Sequence, residues 1–224
     1  MPTPQERLNV GYEGSTCYVR IVGEITEDLA CDLGDIFEES FGDYFMETCV
    51  LEINSPGGSV DALEYVLDLM DKWRRKEGIR FETRALFQAT SAAALLAAFG
   101  DVGLRSALGS SVLLFHESRA YGASSRPITA HDAQTIMDSL KQIDEKIIRR
   151  LSGHIFSGLG RLPEKERRER CLKFQEIARN LGETPKENTL EKGCLERTYA
   201  ALFSGERPVT PAVARELLLL DQTV

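Results

Sequence analysis

The segment Ala89–Ala93 (ATSAA) places one hydroxyl group among small apolar residues, where a predicted strand ends and a predicted helix begins. A second segment, Leu114–Glu117 (LFHE), places one imidazole at the end of another apolar strand. A serine and a histidine that meet in the fold form the core of an acyl-transfer site, because the imidazole accepts the hydroxyl proton. These segments therefore predict Ser91 as a nucleophile and His116 as its base.

Both residues also have simpler interpretations. A serine at the start of a helix commonly caps it by accepting a backbone N–H. A histidine after an apolar strand can be a buried side chain with satisfied hydrogen bonds. The enzymatic interpretation requires the two segments to be neighbours in space.

A third segment, Asn54–Val60 (NSPGGSV), contains two adjacent glycines after a predicted strand. Glycine lets the backbone approach a reacting carbonyl closely, so this segment can supply an amide that binds an oxyanion. The alternative is a simple tight turn.

Strands and helices alternate along the first half of the chain. The patterns predict strands at 17–22, 48–53, 79–89 and 111–115, and helices at 26–40, 61–75 and 91–99. Residues 103–109 are typical of a short strand and turn. This order predicts an α/β fold with a parallel-rich sheet covered by helices.

The second half of the chain is predicted to be mainly helical. A long amphipathic helix at about 131–156 is expected to project from the body. The residues at about 160–205 begin with a charged run and include predicted helices at 174–181 and 195–203. Residues 210–221 close the chain, with Pro211 at a first helical position.

Composition and charge restrict the class of protein. The 224 residues carry a net charge of −8, which argues against a surface for nucleic acid or anionic membranes. Five scattered cysteines without a CxxC pair indicate reduced thiols, and no apolar run approaches the roughly 20 residues that span a bilayer. With a polar N-terminal segment, 1–16, these features predict a cytoplasmic protein.

The order of motifs resembles the proteolytic subunit of the Clp protease, a family of serine peptidases with a ClpP-like, crotonase-like fold. The resemblance rests on four sequence segments and their order. They are Arg20–Ile25 (RIVGEI), Ile53–Val60 (INSPGGSV), Gln88–Ser91 (QATS) with Leu95–Ala98 (LLAA) and His116, and Val209–Asp221. The resemblance implies repeated β-β-α spiral units with a projecting handle helix, in one domain at 17–224.

By this resemblance Ser91 is the nucleophile and His116 the general base. The amides of Gly58 and Ala92 form the oxyanion hole, while Gly57 and Ser118 bind substrate. The edge after His116, from Ser118 to Ser125, is where an extended peptide adds as a strand.

The third member of the triad does not follow from the resemblance. The family's aspartate lies several residues before Thr210, and the aligned stretch 201–206 contains no aspartate. Glu206 is the nearest carboxylate and is predicted to orient the imidazole, with Glu196 as a weaker substitute.

Three functions are compatible with these residues. The first is a serine peptidase that cleaves unfolded polypeptides inside an oligomeric chamber, without a cofactor or metal. The second is a weak or inactive homologue that serves as a structural ring subunit, and the third is a crotonase-type acyl-CoA enzyme. The resemblance implies stacked rings, usually heptameric, and an AAA+ unfoldase as partner; a phage-type maturation protease is an alternative setting.

Overall fold

The computed structural model describes residues 8–120, 129–185, 190–206 and 208–224, which form one eight-stranded sheet and seven α-helices. The strands are β1 (Leu8–Glu13), β2 (Thr16–Val22), β3 (Thr48–Ser55), β4 (Arg80–Thr90), β5 (Arg105–Ala107), β6 (Val112–Leu114), β7 (Pro208–Val209) and β8 (Gln222–Thr223). The helices are α1 (Glu27–Glu38), α2 (Val60–Glu77), α3 (Ala92–Ala98), α4 (Ala130–Leu159), α5 (Glu164–Asn180), α6 (Lys192–Ser204) and α7 (Pro211–Glu216).

The centre of the sheet is parallel, as the alternating order of elements predicts. Strands β2, β3 and β4 run side by side, with Ile21, Ile53 and Ala85 in register. All three side chains are buried. Parallel strands are connected by crossover helices, and α1 and α2 fill this role here.

An aromatic cluster fixes the helices on the sheet. Phe37 of α1 lies 5.5 Å from Phe81 of β4 between ring centroids, and Phe41 lies 5.4 Å from Trp73 of α2. The four rings are fully or almost fully buried. Aromatic side chains bury large areas, so this cluster is a major part of the core.

Strand β4 is long enough to pair with two successive strands on the same edge. Its first part pairs with β5 through Thr83–Ala85, and its last part pairs with β6 through Gln88–Thr90. Thr90 lies opposite Leu114 in this register. Ser91 and the segment that leads to His116 therefore leave the sheet at the same place.

The N-terminal segment is not wholly irregular. Residues Leu8–Glu13, which fall in the segment described above only as polar, form β1 and pair antiparallel with β2. An unpaired edge of β2 would leave backbone groups without partners, and β1 satisfies them. The alternation of Leu8, Val10 and Tyr12 before Gly14 was the available sequence signal.

The long helix α4 begins at a capping box. The Thr129 hydroxyl accepts the Asp132 N–H, and the Asp132 carboxylate accepts the Thr129 N–H. The first half of α4 is mostly exposed, whereas Ile147, Leu151 and Ile155 are buried. Its bounds agree with the helix predicted at about 131–156. The assignment of residues 17–224 to one domain, with an insertion at about 160–205, stays a prediction.

A buried ion pair holds the C-terminal segment against the sheet. Helix α7 begins at Pro211, as predicted, and β8 follows it beside β5. The fully buried Asp221 carboxylate accepts hydrogen bonds from Arg105 Nε at 2.8 Å and Nη2 at 2.9 Å, and also contacts Arg170. Burial alone would raise the pKa of Asp221, but the two guanidinium groups outweigh it and lower the pKa to about 2.

Candidate active site

Ser91 occupies a strained turn between β4 and α3. Its φ of +57° and ψ of −128° lie in a region that residues with a side chain rarely adopt. Such a conformation costs of the order of 1–3 kcal/mol and persists only where surrounding contacts hold it. One such contact is the Ser91 N–H, which donates to the Leu114 carbonyl at 2.8 Å. The tertiary structure therefore imposes this turn on the chain.

The Ser91 hydroxyl does not cap α3. Ser91 stands immediately before the helix, but its side chain accepts no hydrogen bond from the amides of the first turn. Among the residues that the structure describes, the hydroxyl has no other hydrogen-bond partner, and Ser91 lines an open cleft. The structure contradicts the simpler interpretation of a capping serine.

Two glycines allow close backbone contacts, Gly57 against Ser91 and Gly58 against Ile25. A Cβ atom on Gly57 would lie 2.6 Å from the Cβ of Ser91 and 2.6 Å from the Thr90 carbonyl oxygen, and Gly57 has a φ of +101°. A Cβ atom on Gly58 would lie 2.1 Å from the Ile25 carbonyl oxygen. Only glycine fits at either position. The two glycines are therefore required by these close contacts as well as by the turn.

Two backbone amides remain available beside the Ser91 side chain. The Gly57 carbonyl accepts the Ile25 N–H at 2.8 Å, and the Ser59 N–H donates to the Ile25 carbonyl at 2.8 Å. Over the described ranges, no acceptor is recorded for the N–H of Gly58 or of Ala92. Both residues line the same cleft as Ser91. Unpaired amides beside a nucleophile are the groups that stabilise an oxyanion.

His116 lies two residues beyond β6, and its ring lines the cleft with Ser91. The Nδ1 atom is 2.6 Å from the carbonyl oxygen of Glu117. A carbonyl oxygen can only accept, so the hydrogen bond assigns the proton to Nδ1 and leaves the lone pair on Nε2. This is the tautomer that a general base requires.

Glu206 lies near His116, but its carboxylate binds another side chain. Strand β7 pairs antiparallel with β6 as far as Leu114 opposite Pro208, and Glu206 lies in the turn before β7 with a φ of +45°. The carboxylate forms an ion pair with Arg119 at 2.7 Å. The hydrogen bond and charge of Arg119 lower the pKa of the Glu206 carboxyl. Its role as the third member of the triad stays a prediction, and Glu196 is paired with Lys192 on α6.

The segment after His116 is attached to α4. Asp144 accepts the backbone N–H of Ser118 at 2.9 Å and its hydroxyl at 2.7 Å, both through Oδ1. Residues 118–120 do not form a strand, and residues 121–125 of the predicted edge lie outside the described residues. The sequence did not single out Asp144 or Arg119, although Asp144 falls within an apolar stripe of a helix, which was an available signal.

These side chains surround one cleft of about 570 Å³. It lies between the Gly57–Gly58 turn, the strand-to-helix turn at Ser91 and helix α4. Six of the predicted site residues line it: Gly57, Gly58, Ser91, Ala92, His116 and Ser118. Glu206 does not line the cleft, but its ion-pair partner Arg119 does. The fold thus brings together the serine, the histidine and the candidate oxyanion amides.

Three further properties concern the described residues alone. Their His, Cys, Asp and Glu side chains form no group of three or more that could hold a metal ion. None of their helices is both long enough and apolar enough to cross a bilayer. All five cysteines are free thiols.

The fold and cleft agree with a match to a known family. Residues 45–182 match the family described as Clp protease. The chain belongs to the Clp protease family, and its mixed α/β architecture is consistent with the fold of that family. The resemblance predicted from the serine, histidine and glycine motifs is confirmed.

Three relatives show how divergent the chain is. It is 31% identical over 176 residues to the ATP-dependent Clp protease proteolytic subunit 1 of Tropheryma whipplei (strain Twist), covering 69% of this chain and 81% of that protein. It is 28% identical over 178 residues to the ATP-dependent Clp protease proteolytic subunit 3 of Frankia casuarinae. That match covers 75% of this chain and 80% of that protein. It is 33% identical over 129 residues to the ATP-dependent Clp protease proteolytic subunit 2 of Leifsonia xyli. That match covers 52% of this chain and spans about half (54%) of that protein.

Proposed function

We propose that the protein is a serine peptidase that cleaves unfolded polypeptides through an acyl-enzyme intermediate. The observation that carries the proposal is the uncapped hydroxyl of Ser91 on a strained turn, in one cleft with the His116 ring. Strain at a residue whose side chain makes no structural hydrogen bond suggests a function that requires that position. Membership of the Clp protease family supports the same chemistry.

In the proposed reaction the Ser91 Oγ attacks the carbonyl carbon of a peptide bond. His116 Nε2 takes the hydroxyl proton and later gives it to the leaving amine, which breaks the peptide bond and leaves the acyl group on Ser91. The N–H groups of Gly58 and Ala92 donate to the oxyanion of the tetrahedral intermediate. A water molecule, activated by the same imidazole, then releases the acyl group and restores the hydroxyl.

Two groups are suited to orient the imidazole. The Glu117 carbonyl already accepts from Nδ1 and selects the productive tautomer. We propose that Glu206 supplies the negative charge that stabilises the imidazolium, since His116 is near enough to lower the pKa of the Glu206 carboxyl. To contact Nδ1, the Glu206 side chain must leave Arg119 and the ring must leave the Glu117 carbonyl.

A fluorophosphonate probe tests the nucleophile, because it reacts only with an activated serine. We expect the probe to label Ser91, as identified by mass spectrometry of the labelled peptide. Ser91→Ala is expected to lose both labelling and peptide hydrolysis. Ser139→Ala, on the exposed part of α4, is the matched control and is expected to retain both. Absence of labelling in folded, assembled protein would contradict the proposal.

A second candidate function is a structural ring subunit with little or no activity. The observation that favours it is the ion pair between Glu206 and Arg119. Among the described residues, the hydrogen-bond partner of the His116 ring is then the backbone carbonyl of Glu117 and not a carboxylate. A site without the orienting carboxylate retains some catalysis but loses orders of magnitude in turnover. Assembly without labelling or hydrolysis would support this candidate.

We propose that the chain assembles into two stacked heptameric rings that enclose the clefts, and that an AAA+ unfoldase delivers substrate. Both proposals rest on family membership. Native mass spectrometry tests the first, since each chain contributes 25.0 kDa. Stimulation of the hydrolysis of a folded substrate by an unfoldase and ATP tests the second. A cytoplasmic location is likewise a proposal.

A further inference from the structure

We infer that Asp144 makes the cleft selective for substrates that place a Lys or Arg side chain beside the scissile bond. The inference rests on the proposed peptidase function and adds a substrate class to it. Its basis is a single carboxylate in an otherwise apolar wall of the cleft that contains Ser91 and His116.

That wall is one stripe of α4. Leu140, Ile143, Asp144 and Ile147 follow helical spacing, so they lie on the same side of the helix, and all four line the cleft. The three apolar side chains can pack along a methylene stem. Lys and Arg have such stems below their charged groups, and a carboxylate in the same stripe is placed to bind the charge.

The orientation of the carboxylate is fixed from one side. Oδ1 of Asp144 accepts both the N–H and the hydroxyl of Ser118, at 2.9 and 2.7 Å. Within the described part of the chain, Oδ2 has no recorded hydrogen bond and Asp144 has no cationic partner. The Ser118 contacts therefore hold one oxygen and leave the other for a ligand. An ammonium or guanidinium group is the complementary donor.

The rest of the cleft favours the same sign of charge. Its lining includes four carboxylate residues, Glu24, Asp61, Glu117 and Asp144, against one guanidinium group, that of Arg119. That cation is itself paired with Glu206. A concave surface lined by one sign of charge raises the local concentration of the opposite sign. An acidic substrate side chain would be repelled.

The alternative role for Asp144 is purely structural, as the anchor of Ser118. The two roles differ in what Asp144→Asn changes. Asn retains an acceptor oxygen for the Ser118 donors but removes the negative charge. A structural role therefore predicts little change or an equal change for all substrates, whereas a specificity role predicts a change only for cationic ones.

The experiment compares matched fluorogenic peptides with Lys, Arg, Leu or Glu before the scissile bond. We expect kcat/KM for Lys and Arg to exceed that for Leu by at least about tenfold, as for a good charged contact. In Asp144→Asn this ratio is expected to fall to about one, while the rate of fluorophosphonate labelling at Ser91 is unchanged. Asp138→Asn is the control, because Asp138 lies on α4 and contacts Gln134 instead of the cleft.

Two results would overturn the inference. The first is an equal or higher kcat/KM for Leu in the wild-type protein, with Ser91 labelled normally. The second is a loss in Asp144→Asn that is the same for all four peptides. If Ser91 is not labelled at all, the proposed function fails by itself. The affinity of Ser91→Ala for Lys-ended and Leu-ended peptides, measured by fluorescence anisotropy, then decides the inference without catalysis.

Discussion

Arg119 and Glu206 form an ion pair of 2.7 Å beside the cleft, and His116 is near enough to lower the pKa of the Glu206 carboxyl as well. About half of each side chain is exposed, 46% for Arg119 and 51% for Glu206. Exposed ion pairs are weak and screened by salt. The Glu206 carboxylate therefore has two nearby partners, the Arg119 guanidinium and the His116 ring, and in the structure it binds Arg119.

Releasing Glu206 from Arg119 is expected to raise peptidase activity. In Arg119→Gln the carboxylate loses its competing partner, so we expect a severalfold increase in kcat. In the wild-type protein, raising NaCl from about 0.05 to about 0.5 M should give a similar increase by screening the pair. The salt effect should be absent in Arg119→Gln.

The control for this prediction is Arg20→Gln. It removes another ion pair, which the exposed side chain of Arg20 on β2 forms with Glu52 on β3. It is expected to leave both kcat and the salt response unchanged. A lower kcat in Arg119→Gln would mean that Arg119 positions Glu206 productively. Native mass spectrometry at both salt concentrations checks that assembly is constant.

Removing the charge of Glu206 is expected to lower activity. Glu206→Gln preserves the size of the side chain but cannot stabilise an imidazolium, so we expect kcat to fall by at least about tenfold. KM should change little, since the residue does not line the cleft. Glu196→Gln, on α6 and paired with Lys192, is the control. An unchanged kcat would show that the Glu117 carbonyl alone orients His116.

Gly57→Ala is expected to abolish activity through a direct clash. The new Cβ would lie 2.6 Å from Ser91 Cβ and from the Thr90 carbonyl oxygen, so the Ser91 turn has to move. Gly103→Ala is a matched control, because Gly103 has nearly the same φ of +102° but its nearest atom would be 3.9 Å away. Both variants should lose some stability, and only Gly57→Ala should lose labelling of Ser91. Equal labelling would exclude the close approach as a requirement.

Asp221→Asn is expected to destabilise the fold and change its acid sensitivity. Because the pKa of Asp221 in the folded state is about 2, its contribution to stability is present above the unfolded value of about 3.9 and is lost as pH falls towards 2. The variant leaves the buried Arg105 uncompensated, which costs about 3–5 kcal/mol. Urea unfolding at pH 7 and at pH 2–4 measures both effects.

In these unfolding measurements, the free energy of unfolding of Asp221→Asn should depend less on pH in the acid range than that of the wild-type protein. Asp35→Asn, an exposed position on α1, is expected to unfold like the wild type. If the stability of Asp221→Asn depended on pH as strongly as that of the wild-type protein, the acid sensitivity would come from other carboxyl groups.

Much of the fold follows from local sequence patterns. The apolar face of α2, with Leu63, Val66 and Met70, repeats at helical spacing, and each of these side chains is buried. The apolar strands β2, β3 and β4 lie within one or two residues of their predicted bounds. Periodicity identifies such elements because burial of one face depends on side chains close in sequence. Strand β1 was missed although its apolar residues alternate, because it is short and lies beside a polar segment, and five of its six residues are exposed.

The sequence by itself determined the chemistry available at the site: a serine between a strand and a helix, a histidine after a strand, and a glycine pair. These are local features, and the family match agrees with them. Only the tertiary structure decided what each group contacts. The left-handed φ of Ser91, the partner of Glu206 and the carboxylate of Asp144 in the cleft depend on segments far apart in the chain. Such contacts arise from sheet register and helix packing, which no local pattern of residues specifies.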